Sequence, residues 1–176
     1  MLFDGACSVI GNRSFGSDAE TVAGLGLGYA KGLANAGVMP VIKHIPGHGR
    51  SLQDTHLNLS VVDATLEQMQ RSDFVPFARV AESGLECMAM MSHVIYSAID
   101  ATCPATLSSA VRNVIRNLIG FKGFIISDDI CMKGLSEFHS DFSTIAPRML
   151  DSAVDVVLHC NADIGQMRVI LESLEY

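Results

Sequence analysis

VIKHIPGHGRSLQDTH, residues 41–56, joins an apolar run to a dense polar loop. The run from Val38 to Ile42 stops at Lys43, and His44, His48, Arg50, Asp54 and His56 follow in close order. Pro46, Gly47 and Gly49 interrupt regular structure, because proline lacks a backbone donor and glycine has no side chain to restrict it. An apolar strand that opens into a glycine-rich polar loop is where α/β folds place their chemistry. A second transition of this kind, GFIISDD at residues 123–129, lies downstream. The two strand ends are expected to face one pocket.

Working outward, helical and strand patterns alternate. Ser17, with Glu20 three residues on, reads as a capping box. Val22, Leu25, Tyr29 and Leu33 then share one helical face before Gly37 ends the helix. Gly24, Gly26, Gly28 and Gly32 weaken that helix, so it needs close packing against a neighbour. Asp63 and Thr65 open a second helix with Leu66 and Met69 inward. It is continued from Asp73 to Gly84 through Phe74, Phe77 and Val80, with Pro76 tolerated near a helix start. Cys87 to Met91 reads as a buried strand with Ser92-His93 at its polar end. Thr106 to Ser108 lead a helix through Val111, Ile115 and Leu118 to Gly120. Phe124 to Ser127 is the next strand, ending in Asp128-Asp129. Asp141 to Ser152 is a helix weakened by Pro147. Val154 to Leu158 is a further strand, ending in His159-Cys160-Asn161. Asp163 caps the last helix, whose apolar side is Ile164, Met167, Ile170, Leu171 and Leu174.

About four such repeats predict a parallel sheet covered by helices. Polar residues end each strand, as in a (β/α)8 barrel, where the C-terminal strand ends carry catalysis. A doubly wound open sheet shares the alternation. No GxGxxG follows a strand, however, so a dinucleotide site is disfavoured and the barrel reading is preferred.

Composition bounds the rest. With 176 residues, 49% of them hydrophobic, the chain can build one domain with a real core and is not disordered. A net charge of −7 argues against nucleic acid, which asks for a basic face. Five scattered cysteines without a CxxC pair read as reduced thiols of a reducing compartment. Residues 1–13 have no secretory pattern, and no run approaches the roughly 20 apolar residues of a membrane span. His44, His48, Asp54 and His56 are metal-ligand types, but their spacing matches no HExxH helix, so no metal and no cofactor is expected. Met88, Met90 and Met91 read as core.

The motifs KHIPGHG followed by DTH resemble those of family 3 glycoside hydrolases of the β-N-acetylhexosaminidase type. SDDICM resembles the family's nucleophile motif and IGNRSFGSD a substrate-binding loop, while MMSHVIYSAID and DVVLHCN resemble the barrel strands around the nucleophile. The resemblance covers nearly the whole chain. It implies the C-terminal half of a (β/α)8 TIM barrel, with residues 1–176 forming a single partial catalytic domain that lacks the first half of the barrel. It implies a cytoplasmic enzyme of peptidoglycan recycling that releases terminal β-linked N-acetylglucosamine from muropeptides with retention of configuration.

By the same resemblance Asp128 is the nucleophile, and Asp129 its structural partner. His56 is the acid/base, oriented by Asp54, in place of the usual second carboxylate. Histidine titrates near neutrality, and an aspartate on its other ring nitrogen fixes the tautomer. Arg13, Lys43 and His44 are implied to bind the sugar. His93 and His159 stand at strand ends, either lining the pocket or satisfied in the core. The implied partner is a carbohydrate, with neither nucleic acid nor membrane. An open half-barrel also exposes strand edges and is expected to self-associate. Two other readings stay open: a catalytically inactive half-barrel that serves as a remnant or assembly module, and a β-N-acetylglucosaminide phosphorylase.

Overall fold

The computed structural model describes residues 1–3, 5, 11–51, 59–135, 138 and 141–174. Its first helix, α1 (Ala19–Asn35), is capped by Asp18, whose carboxylate accepts from the Thr21 amide at 2.8 Å. The expected cap, Ser17, lies one residue outside. A carboxylate at the cap satisfies an orphan amide and also meets the positive end of the helix dipole. Val22, Ala23 and Ala30 are buried, whereas Leu25 and Tyr29, expected inward, are 52% and 64% exposed.

The remaining helices are α2 (Leu66–Arg71), α3 (Val75–Glu82), α4 (Ser109–Val114), α5 (Phe142–Ser152) and α6 (Ile164–Glu172). Thr65 caps α2 in a reciprocal box with Gln68. The segment after Asp73 does not continue α2. It starts afresh as α3, with Pro76 in the first turn, where the missing donor costs nothing. Helix α1 packs against α3, and α5 against α6.

The described residues form six strands: β1 (Val41–Ile45), β2 (Ser60–Val62), β3 (Met88–Met91), β4 (Val94–Tyr96), β5 (Ile125–Asp129) and β6 (Val156–Leu158). Strands β1, β3, β5 and β6 form one parallel sheet in that order. Val41 lies opposite Met88, Ala89 opposite Ile125, and Ile126 opposite Val156. Parallel neighbours need a long crossover, and helices between consecutive strands supply it. The expected α/β class and the four parallel strands are therefore present, as in part of a (β/α) barrel. A separate parallel pair, β2 with β4, was not anticipated.

The core joins Ile45, Ala89, Met91 and Ile125 of the sheet to Val111, Ile115, Ile145 and Met149 of the helices, all fully out of solvent. After α4 the chain widens into a π-turn over Ile115–Ile119. With i→i+5 bonding the i and i+4 side chains align better than i and i+3. Ile115 and Ile119 are accordingly buried, and Leu118, expected inward, is 49% exposed. Gly120 closes the turn at φ +78°, a conformation that glycine adopts without strain.

Asp155, just before β6, bolts this corner. Its carboxylate takes Arg112 at 2.6 Å, Arg116 at 3.0 Å and the Ile125 amide at 2.8 Å. Arg116 also donates to the Phe121 and Gly123 carbonyls. The far helix departs from expectation: Ile164 and Leu171 of α6 are 73% and 61% exposed. Among the described residues, strands β1 and β6 are the two edges of the sheet. Among the described residues no helix is long and apolar enough to cross a membrane.

Candidate active site at the strand ends

Because the four strands run parallel, their C-terminal ends gather at one rim. Lys43 and His44 come from β1, Ser92 and His93 follow β3, Asp128 and Asp129 close β5, and His159 and Cys160 follow β6. The rim brings His44 Nε2 to 3.5 Å from Asp128 Oδ2, with each side chain about one-fifth exposed (20% and 21%). Asp128 Oδ1 is otherwise engaged, accepting from the Asp129 amide at 2.9 Å.

Burial is the largest influence on His44 and lowers its pKa from 6.5 to about 3. The Asp128 carboxylate pulls the other way, while His48, Lys43 and Arg13 depress it further. At neutral pH the imidazole is therefore uncharged. Its contact with Asp128 is then a dipole facing a carboxylate rather than an ion pair, and at 3.5 Å it is a loose one. The buried His48 ring stands 5.2 Å from that of His44.

The first residues after β1 are anchored at Gly47 and Arg50. Gly47 has φ +144°, and a Cβ there would meet Asp73 Cβ at 2.8 Å. Its carbonyl accepts from the Tyr96 hydroxyl at 3.1 Å, and the Ser92 hydroxyl lies 3.1 Å from the same phenol. Burial pushes the Tyr96 pKa up, so this phenol stays protonated and donates. Arg50 donates to Asp73 at 2.9 Å and to Ser72 at 3.0 Å. Motif reading alone missed these anchors. The available signal was a tyrosine closing an apolar run with a serine four residues before it.

Asp129 turns away from the cleft. Its Oδ1 accepts the Cys131 amide at 3.1 Å and the Cys160 amide at 3.0 Å, tying the end of β5 to that of β6. His159 is committed to Gln166, with its Nε2 at 2.9 Å from the amide oxygen. His93 is fully buried between Thr106 Oγ1 at 2.8 Å and the Asp129 carbonyl at 3.0 Å.

Arg13 ends a short 3-10 turn, Gly11–Arg13, and is exposed. With Lys43 and His44 it lines a cavity of about 280 Å³ that continues between α1, α3 and β1 along apolar side chains such as Phe15, Phe77 and Val80. Asp128 is not part of its wall. The cavity follows the open side of β1, and the carboxylate lies beyond it at the rim. Asp54 and His56 lie outside the described residues. Among the described residues no three His, Cys, Asp or Glu side chains group as a metal centre.

Residues 4–176 match the family model described as the glycosyl hydrolase family 3 N terminal domain. A β-hexosaminidase from Thiobacillus denitrificans is 39% identical over 158 residues, covering 89% of this chain and 43% of that protein. The crystal structure of NagZ from Neisseria gonorrhoeae in complex with N-trifluoroacetyl-D-glucosamine superposes with TM-score 0.82 at 36% identity. It covers 97% of this chain and 47% of that one. Zinc-bound CbsA from Thermotoga neapolitana gives TM-score 0.88 at 35% identity, over 98% of this chain and 37% of that one. The chain thus spans about half or less of the length of these relatives.

Proposed function

Because the chain belongs to glycosyl hydrolase family 3, we propose that its rim is part of a site releasing terminal β-linked N-acetylglucosamine from peptidoglycan-derived muropeptides in the cytoplasm. The observation that carries this reading is the meeting of His44 and Asp128 at 3.5 Å across the rim, beside Lys43 and Arg13. The family match and the sugar analogue held by the NagZ relative support it.

In this reading Asp128 Oδ2 attacks the anomeric carbon as the glycosidic C–O bond breaks. Oδ1 stays tied to the Asp129 amide, so Oδ2 is the oxygen left facing the cleft. Protonated His56, oriented by Asp54, gives its proton to the departing oxygen. A water then opens the glycosyl-enzyme as His56 takes its proton, and two displacements return the original configuration. Lys43 and Arg13 offer donors to sugar hydroxyls or the acetamido carbonyl. A neutral His44 leaves the Asp128 charge intact, where an imidazolium would pair with it and blunt its nucleophilicity.

We further propose that the isolated chain associates with a second copy. Its edge strands carry exposed Val41 and Val156, and the helices next to them in sequence expose Tyr29 and Leu171. Two copies would supply the eight parallel strands of a closed barrel.

A chromogenic N-acetyl-β-glucosaminide tests the activity. Wild type is expected to release the chromophore, and Asp128→Asn to lose at least roughly a thousandfold in kcat. Turnover that needs phosphate and yields the sugar phosphate would favour the phosphorylase. No turnover in wild type, with Asp128→Asn identical to it, would leave the inactive half-barrel.

A further inference from the structure

Both ring nitrogens of His93 are engaged, and one of the two partners dictates the tautomer. Nε2 faces the Asp129 carbonyl, which can only accept, so Nε2 carries the proton. The ring is fully buried, and burial lowers its pKa despite the nearby Asp128 and Asp129 carboxylates, so it is neutral. Nδ1 is then an acceptor, and the buried Thr106 hydroxyl donates to it.

A one-way relay follows. Thr106 donates to His93, His93 donates to the Asp129 carbonyl, and the Asp129 amide donates to Asp128 Oδ1 at 2.9 Å. The Asp129 carboxylate fixes the same residue from the other side through the Cys131 and Cys160 amides. Asp129 therefore cannot rotate without breaking the bonds made by His93 or by its own carboxylate. Asp128 Oδ1 depends on that residue staying still.

We infer that His93, its tautomer set by the Asp129 carbonyl and its ring held from the other side by Thr106, is a positioning residue that fixes the aim of the Asp128 carboxylate through the Asp129 backbone. It touches no substrate. The inference rests on the proposed role of Asp128, and the test separates the two.

His93→Leu, His93→Gln and Thr106→Val are compared with wild type in the full 176-residue chain, with folded fraction measured for each. His93→Leu is expected to lower kcat per folded molecule roughly 100-fold, because a misaimed group loses about that much, with KM changed less than about twofold. His93→Gln keeps a donor near the Nε2 position and should recover most of kcat. Thr106→Val should fall between. A merely structural residue would lower Tm and folded fraction while leaving kcat per folded molecule unchanged, and that result overturns the proposal.

Should His93→Leu fail to fold, the Gln and Val variants carry the comparison. If wild type shows no turnover, the glycosidase reading fails and NMR of nitrogen-15- and carbon-13-labelled protein decides this one. The Nε2–H tautomer with coupling to the Asp129 carbonyl, and an Asp128 carboxyl signal that moves in Thr106→Val, support it. An Nδ1–H tautomer or an unmoved Asp128 signal contradicts it.

Discussion

Asp128 keeps one oxygen for its own backbone and one for the cleft, and His44 facing that second oxygen is uncharged at neutral pH. This sets an acid limit on stability. An unfolded histidine binds a proton near pH 6.5, whereas folded His44 resists it down to about 3. The unfolded chain binds more protons in that interval, so the contribution of His44 to stability is complete above about pH 6.5 and is lost as pH falls toward 3. Buried His93 acts in the same direction. His44→Asn should therefore lose less Tm than wild type between pH 7 and pH 4. Equal losses in thermal melts would contradict a buried neutral His44. At the same scale, Tyr96→Phe leaves the buried Gly47 carbonyl and Ser92 hydroxyl without their shared partner. It should cost about 1–2 kcal/mol in denaturant unfolding.

Among the elements, the order of strands and helices was readable because apolar runs and caps carry local information. Asp163 caps α6 where the pattern put it, and the helix read from Asp141 is present with Asp141 as its cap. The errors came from packing that no local pattern encodes. Leu25 and Tyr29 fit a helical stripe, yet the buried face of α1 is built from small residues. Leu118 failed because a π-turn changes the period, and nothing in IRNLI announces one. The β2–β4 pair joins segments far apart in sequence, each only three residues long. At the site, motif likeness picked out Asp128 and His44, which the rim brings together, whereas the Tyr96 and His93 anchors depend on contacts across strands. The corner made by Asp155 gives a prediction of its own. Removing the acceptor of two arginines and the Ile125 amide leaves those donors partly buried without it. Asp155→Ala should cost about 2–3 kcal/mol in urea unfolding. A change under about 0.5 kcal/mol would mean that the corner is held by apolar packing alone.

For the molecule as a whole, the described residues form a four-stranded parallel sheet that ends in β1 and β6, and parallel sheets are normally covered or closed. Ile164 and Leu171 are exposed on α6, the helix that follows β6 in sequence. Sedimentation of the isolated chain should show dimers or larger species, with Leu171→Lys shifting them toward monomer. A single monomeric species at high concentration would contradict association through these edges. In the proposed mechanism Asp128 bonds to the sugar. A 5-fluoro N-acetylglucosaminyl fluoride speeds the first displacement and slows the second, so the intermediate accumulates. Peptide mass mapping of the quenched protein should find one sugar adduct, on the β5 peptide at Asp128, and none in Asp128→Asn. An adduct on another residue, or none while wild type turns the reagent over, would contradict Asp128 as the nucleophile.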